Sequence, residues 1–240
     1  MSTFQFKQFN IEQDKCAMKV GTDGVLLGAW TPIDNQPFSI LDIGAGTGLI
    51  ALMLAQRTNA ELIDALEVED NAYEQAVENF ENSPWGDRLF CYHAGLDEFT
   101  DEMQDEEKYD IIVSNPPFYS EDYTSGNTER DKARFSFAMP FEELAESASL
   151  LLNREYGVFA VVIPYKEEEN FIKIAQGFSL YPYKITKVKG TPETAIKRSL
   201  IAFKFQKPDT IIEDELIVEI ARHQYTPEYT ALTKDFYLKM

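Results

Sequence analysis

Leu41-Asp42-Ile43-Gly44-Ala45-Gly46-Thr47-Gly48 is the stretch that decides the fold. With Ser39 and Ile40 before it, its opening residues make the short apolar run of a buried strand. Three alternating glycines follow. They allow φ angles closed to other residues and let a ligand approach bare backbone. Leu49 to Arg57 then carries apolar residues at helical spacing. Strand, glycine turn and helix in this order open an α/β sheet with a ligand crevice at the strand's carboxyl end. Dinucleotide-binding turns favour a G-x-G-x-x-G spacing, whereas here it is G-x-G-x-G with an acid two residues ahead.

Downstream the chain keeps alternating. Leu62–Leu66, Leu89–His93, Tyr109–Val113 and Tyr156–Ile163 read as strands. Asn71–Asn82, Phe141–Leu152 and Glu167–Phe178 read as helices. Lys184–Val188 and Ser199–Phe205 look like two further strands with no helix between them, hence antiparallel neighbours. The expectation is a doubly wound, seven-stranded, mostly parallel sheet with an antiparallel edge hairpin. Asp214–Ile220 is a weaker strand candidate. A last helix starts near Glu228, with Thr226 as N-cap and Pro227 in its first turn. Residues 1–37 read as an irregular lead-in holding a short helix over Gly24–Trp30.

The length suits one α/β domain. The start, Met1 to Asn10, is polar with Phe4, Phe6 and Phe9 interleaved, so no leader is expected. No apolar run suggests a membrane span. Cys16 and Cys91 lack metal or redox spacing and read as plain thiols of a cytoplasmic protein. His93 and His223 show no paired spacing, so no metal is expected, and no obligate protein partner is implied. The net charge of −19 excludes a broad basic footprint; any nucleic-acid contact must be a local patch. Two clusters qualify. Arg130, Lys132 and Arg134 form either a charged helix face or an RNA clamp. Lys184, Lys187, Lys189, Lys197 and Arg198 form either an RNA contact or a device against edge pairing.

Asn115-Pro116-Pro117-Phe118 follows the fourth strand. Together with the glycine turn it resembles the paired signature of Rossmann-like class I S-adenosylmethionine methyltransferases that act on flat amino nitrogens. The resemblance implies S-adenosylmethionine as cofactor. Asp42, Gly44, Gly46, Gly48 and Glu67 would hold it, Glu67 through the ribose hydroxyls, with Val68, Leu96, Asp97 and Asp23 as further contacts. Glu69 and Asp70 compete with Glu67, and one of them can instead cap the next helix. Similar enzymes often place an Asp after the third strand to accept from the adenine amino group; here Gly95 stands there, leaving Asp97 or backbone groups.

An amino group conjugated to a ring is a weak nucleophile. It needs acceptors that hold its N–H bonds and favour a tetrahedral nitrogen. Asn115 offers its side-chain oxygen and Pro116 its carbonyl. Pro116 and Pro117 stiffen the loop, and Phe118 can stack on the flat substrate.

Three more stretches narrow the resemblance: Cys16 to Trp30, Asn82-Ser83-Pro84-Trp85, and Tyr229 to Leu238. They look like the bacterial tRNA1(Val) adenine-N6 methyltransferases. That implies a methyltransferase domain over 38–240 with the lead-in packed on it. It also implies an anticodon stem-loop as partner and adenine 37, beside the anticodon, as target. Lys19, Thr22 and Asp23 would lie near the cofactor or target base. Rival readings are a guanine-N2 or glutamine-amide methyltransferase and a non-catalytic RNA-binding protein of the same fold.

Overall fold

The computed structural model describes residues 3–117 and 139–240. An antiparallel hairpin, β1 (Thr3–Gln5) and β2 (Asn10–Glu12), leads into helix α1 (Thr22–Trp30). Alternation then begins with β3 (Ser39–Ile43), α2 (Leu49–Arg57), β4 (Leu62–Glu67) and α3 (Asp70–Glu81). It continues through β5 (Leu89–His93), α4 (Leu96–Met103) and β6 (Ile111–Ser114). After residue 138 come α5 (Phe141–Leu151), β7 (Val158–Pro164), α6 (Glu168–Gly177), β8 (Tyr181–Lys189) and β9 (Arg198–Lys204). The chain closes with β10 (Ile212–Ile217), the small hairpin β11 (Glu219–Ala221) and β12 (Gln224–Tyr225), and α7 (Pro227–Thr233).

The main sheet runs β10-β8-β9-β7-β6-β3-β4-β5. Neighbours are parallel except where β9 inserts between β7 and β8, antiparallel to both. The expected fold class and all seven expected strands are present. The sheet has eight strands, however, and the β8–β9 pair does not end it. β10 adds in parallel along β8, from Ile212 opposite Lys184 to Ile217 opposite Lys189. Leu216 of β10 is buried in the core, and across the pair Lys187 meets Glu213 at 3.0 Å and Lys189 meets Glu215 at 2.8 Å. Lysines that would discourage an edge partner instead receive an acidic one.

Two apolar layers sandwich the sheet. On one face α1, α2, α3 and α7 pack over Ile40, Ala65, Val113, Ala160 and Ala202. On the other, α4, α5 and α6 pack over Leu41, Ile43, Ile112, Val161 and Ile201. Helix α4 was hidden in the sequence under a run of acids. Its Leu96, Phe99 and Thr100 are buried, while Asp97, Glu98, Asp101 and Glu102 face outward.

The two ends of the chain close on each other. Lys7 N–H donates to the Phe236 carbonyl at 2.8 Å, and Phe6 bridges to Tyr237. Phe6 is buried between Phe9 (4.7 Å, stacked) and Tyr237 (5.8 Å, stacked). Truncating it leaves a cavity under both segments. Phe6→Ala is expected to lower unfolding free energy by about 3–5 kcal/mol in urea denaturation. A change below about 1 kcal/mol would mean that this aromatic seam does not hold the termini.

Candidate active site

Strand β3 is hydrogen-bonded in parallel on both sides, and this register assembles the site. Ile43 pairs with Leu66 of β4 and with Ser114 of β6. The next residue on each strand is therefore Gly44, Glu67 and Asn115, three neighbours in one row at the carboxyl ends. Ser114 Oγ donates to the Ile43 carbonyl at 2.8 Å and pins the β6 end to β3. The chain runs outward from β3 through β4 to β5, then returns to β6 on the other side. That reversal opens a crevice, where open α/β sheets bind ligands.

The crevice is a cleft of about 670 Å³, within the usual range for a small-molecule site. Gly44, Gly46, Glu67, Val68, Leu96, Asp97, Asp23, Asn115 and Pro117 all line it, nine of the thirteen residues expected for catalysis and cofactor binding. Pro116, between two lining residues, is buried. Lys19 and Thr22, which the family likeness alone had singled out, are on its wall as well. Phe118 lies outside the described residues.

The glycine turn divides its labour. Gly44 (φ 75°) and Gly46 (φ 57°) are left-handed, and a Cβ on either would meet nothing within 4 Å. They turn bare backbone toward open space. Gly48 (φ 78°) faces away, where a Cβ would stand 2.4 Å from the Phe80 ring of α3. Gly48, expected as a cofactor contact, does not line the cleft; its missing side chain lets α2 start against α3. Asp42 is fully buried beneath the turn and does not line the cleft. Its Oδ2 accepts from the Ala51 N–H at 3.1 Å, in the first turn of α2, while Oδ1 has no partner among the described residues.

Glu67 is the carboxylate that reaches the cleft. Its Oε2 accepts from Gly46 N–H at 2.7 Å, and Oε1 accepts from Val68 and Glu69 N–H at 2.9 and 3.0 Å. These bonds fix the head group, and each oxygen keeps lone-pair capacity for a ligand. Its competitor Glu69 is the cap of α3, accepting from Ala72 N–H at 2.7 Å. Asp70 contacts His93 Nε2 at 3.1 Å, and the His93 ring stacks on Tyr73. His93 therefore has a structural setting.

The far wall comes from the lead-in, which residue patterns alone did not place. Two amides on one face of α3 hold it. Asn79 Oδ1 accepts from Glu12 N–H, and Asn79 Nδ2 donates to the Glu12 and Thr47 carbonyls. One turn earlier, Gln75 Oε1 accepts from Lys15 N–H. Asn79 thus ties strand β2 to the glycine turn, and Cys16 to Gly24 follow along the cleft. Burial pushes the Cys16 and Cys91 thiols up to about 12, so both stay protonated at neutral pH.

At the other end, Gly95 caps α4. A Cβ there would lie 2.7 Å from Asp97 Oδ1, so the Asp97 carboxylate fills the space of a side chain at position 95. Glu143 of α5 also lines the cleft. Its carboxyl is raised by burial and by the Asp97 charge.

The expected RNA-binding cations fare differently. Arg198 Nε donates to Asp23 Oδ2 at 2.8 Å, so these two predicted site residues engage each other. Lys187 and Lys189 are occupied by β10, and Lys184 lies over the Trp30 ring. Lys197 is exposed. Arg130, Lys132 and Arg134 lie outside the described residues. Among the described residues no helix is long and apolar enough to cross a membrane, and no group of three His, Cys, Asp or Glu could hold a metal ion.

Comparison with known proteins places this geometry. Residues 26–133 match the family model described as Methyltransferase small domain. A protein of Flavobacterium johnsoniae named tRNA1(Val) (adenine(37)-N6)-methyltransferase is 68% identical over 99% of this chain and 100% of its own length. A protein of the same name from Flavobacterium psychrophilum is 66% identical over 99% and 100%. Among solved structures, a predicted O-methyltransferase from Agrobacterium tumefaciens superposes with a TM-score of 0.68 at 19% identity, covering 89% of this chain and 96% of that one. That last likeness concerns the fold.

Asp42 yields a pH prediction. Burial pushes its carboxyl up to about 7; the Ala51 N–H opposes this and the Glu67 charge adds to it. A folded-state pKa above the unfolded one gives a contribution that is full below about pH 4 and lost as pH rises through about 7. Asp42→Asn carries no such titration. The melting temperature of the parent relative to that variant is therefore expected to fall between pH 5 and pH 8. A difference that is flat or rises over that range would contradict a protonated Asp42.

Proposed function

This chain belongs to the family of tRNA1(Val) (adenine(37)-N6)-methyltransferases, and from that premise we propose that it methylates N6 of adenine 37 in tRNA1(Val), using S-adenosylmethionine. The observation that carries the reading is the convergence of Gly44, Gly46, Glu67 and Asn115 on one cleft. A dinucleotide or sugar-binding protein would need only the first three. Asn115 and Pro117 on the same cleft add a place for a second, flat reactant.

The residues present fit the cofactor. Gly44 and Gly46 leave space that side chains would fill, Glu67 offers a fixed acceptor for a ribose diol, and Leu96 and Val68 offer apolar surface. Bound there, S-adenosylmethionine supplies an electrophilic methyl group.

The chain's own residues do the rest. Asn115 Oδ1 accepts one N6 hydrogen and the Pro116 carbonyl the other. Holding both hydrogens turns the nitrogen lone pair out of conjugation with the ring and toward the cofactor. The two prolines fix φ on either side of the Pro116 carbonyl, so the acceptors are set before substrate arrives. No strong general base is required, because the nitrogen becomes acidic once methylated. An anticodon-loop adenine is already single-stranded, which lowers the cost of presenting it.

Two variants test this on unmodified tRNA with labelled cofactor. Asn115→Ala is expected to lower single-turnover methylation by a factor on the order of 10² or more, with S-adenosylmethionine affinity largely kept. Glu67→Ala is expected to weaken cofactor binding by about 1–3 kcal/mol in calorimetry, the loss of hydrogen bonds to a charged group. A folded Asn115→Ala protein working near the parent rate would remove Asn115 from the chemistry. Unchanged affinity in Glu67→Ala would remove Glu67 from the cofactor site.

A further inference from the structure

A chain of net charge −19 must hold an anionic RNA at a few points. Most described cations near the sheet are engaged: Lys15 with Glu78 at 2.7 Å, Lys187 with Glu213, Lys189 with Glu215, and Arg57 and Arg88 with backbone carbonyls. Among the described residues Lys19 and Lys197 are not paired with acids, as is also true of Lys173, Lys207, Arg222 and Lys239. Lys19, however, is on the cleft, and Lys197 is beside Arg198, the ion-pair partner of the cleft residue Asp23. Both are exposed, and neither has a carboxylate at ion-pair distance among the described residues.

Lys19 lines the cleft beside Met18, which is 44% exposed. Lys197 sits just before β9. Its carbonyl accepts from Tyr165 N–H at 3.1 Å, which joins it to the end of β7, where Tyr165 is 39% exposed. The Asp23–Arg198 ion pair links the two places, since Asp23 follows Lys19 on the cleft wall and Arg198 follows Lys197. It also neutralises the acid between them. Strand register sets the height of this strip. Ser114 of β6 pairs with Val161 of β7, so Asn115 is level with Val162, and Tyr165 stands three residues further, roughly 10 Å above it.

We propose that this strip, Lys19 through the Asp23–Arg198 pair to Lys197 and Tyr165, is the docking rail for the RNA strand flanking the target adenine. Lys19 and Lys197 take phosphates on the two sides of the target nucleotide. Tyr165 offers its ring to a neighbouring unpaired base, the combination of cation and aromatic platform that suits single-stranded nucleic acid. The inference deepens the proposed tRNA methylation and rests on it.

The test is steady-state methylation of an unmodified tRNA1(Val) transcript by the full chain over a series of salt concentrations. Lys19→Ala with Lys197→Ala is expected to raise the KM for tRNA about tenfold, mainly in KM rather than kcat. It should also flatten the log–log salt dependence by roughly 1.4, about 0.7 for each single-strand phosphate left without its lysine. The Lys→Arg pair should keep the parent slope. Tyr165→Ala should raise KM severalfold, whereas Tyr165→Phe, which keeps the ring, should not. A double-alanine variant with the parent KM and slope, or Tyr165→Ala with the parent KM, would overturn the rail while leaving the methylation reading intact. A parent protein that leaves the transcript unmethylated would instead overturn the functional reading itself.

Discussion

The parallel pairing of β3 with β4 on one side and β6 on the other is the constraint from which the site follows. Side chains at the ends of adjacent parallel strands are held about 5 Å apart by main-chain hydrogen bonds, whatever the loops do. Ile43 opposite both Leu66 and Ser114 puts a glycine, a carboxylate and an amide in one row. A slip of one residue in either ladder would turn Glu67 or Asn115 to the opposite face of the sheet. The apolar residues of β3, β4 and β6, buried on both faces, lock that register, so core packing and site geometry are one specification.

Charge imposes the second constraint. A strongly acidic protein gains solubility but repels a polyanion. Some cations away from the cleft are paired with acids, and β10 acts as an acidic cover over Lys187 and Lys189 of β8. In and beneath the cleft the carboxylates are also managed. Glu67 accepts three N–H groups, Glu69 caps a helix, and burial pushes the Asp42 carboxyl up to about 7.

Much of this was legible in the sequence for a physical reason. Strands buried on both faces are short apolar runs, and the glycine turn and the double proline each restrict backbone in a way few other residues can. The order of strands and helices, and Glu67 and Asn115 at strand ends, followed from that. What escaped depended on distant partners. Nothing local tells that Gly48 faces Phe80 rather than the cleft, or that Asp42 caps α2 from below. Helix α4 has too few apolar residues to stand out from its acids, and the strand candidate Asp214–Ile220, borne out as β10, gave no sign that it would pair in parallel along β8. The lead-in's place over the cleft rests on Asn79 and Gln75, two polar residues on a helix face that reads as solvated until their partners are known.

The central claim is that the row Gly44, Glu67, Asn115 serves methyl transfer to one adenine nitrogen. The most direct measurement is mass spectrometry of nucleosides from a tRNA1(Val) transcript incubated with the protein and S-adenosylmethionine, with the modified position mapped by nuclease fragments. The account predicts N6-methyladenosine at position 37, and none when that adenine is replaced by guanosine. A methylated guanosine, N6-methyladenosine mapped elsewhere, or transfer that persists on the substituted transcript would contradict it.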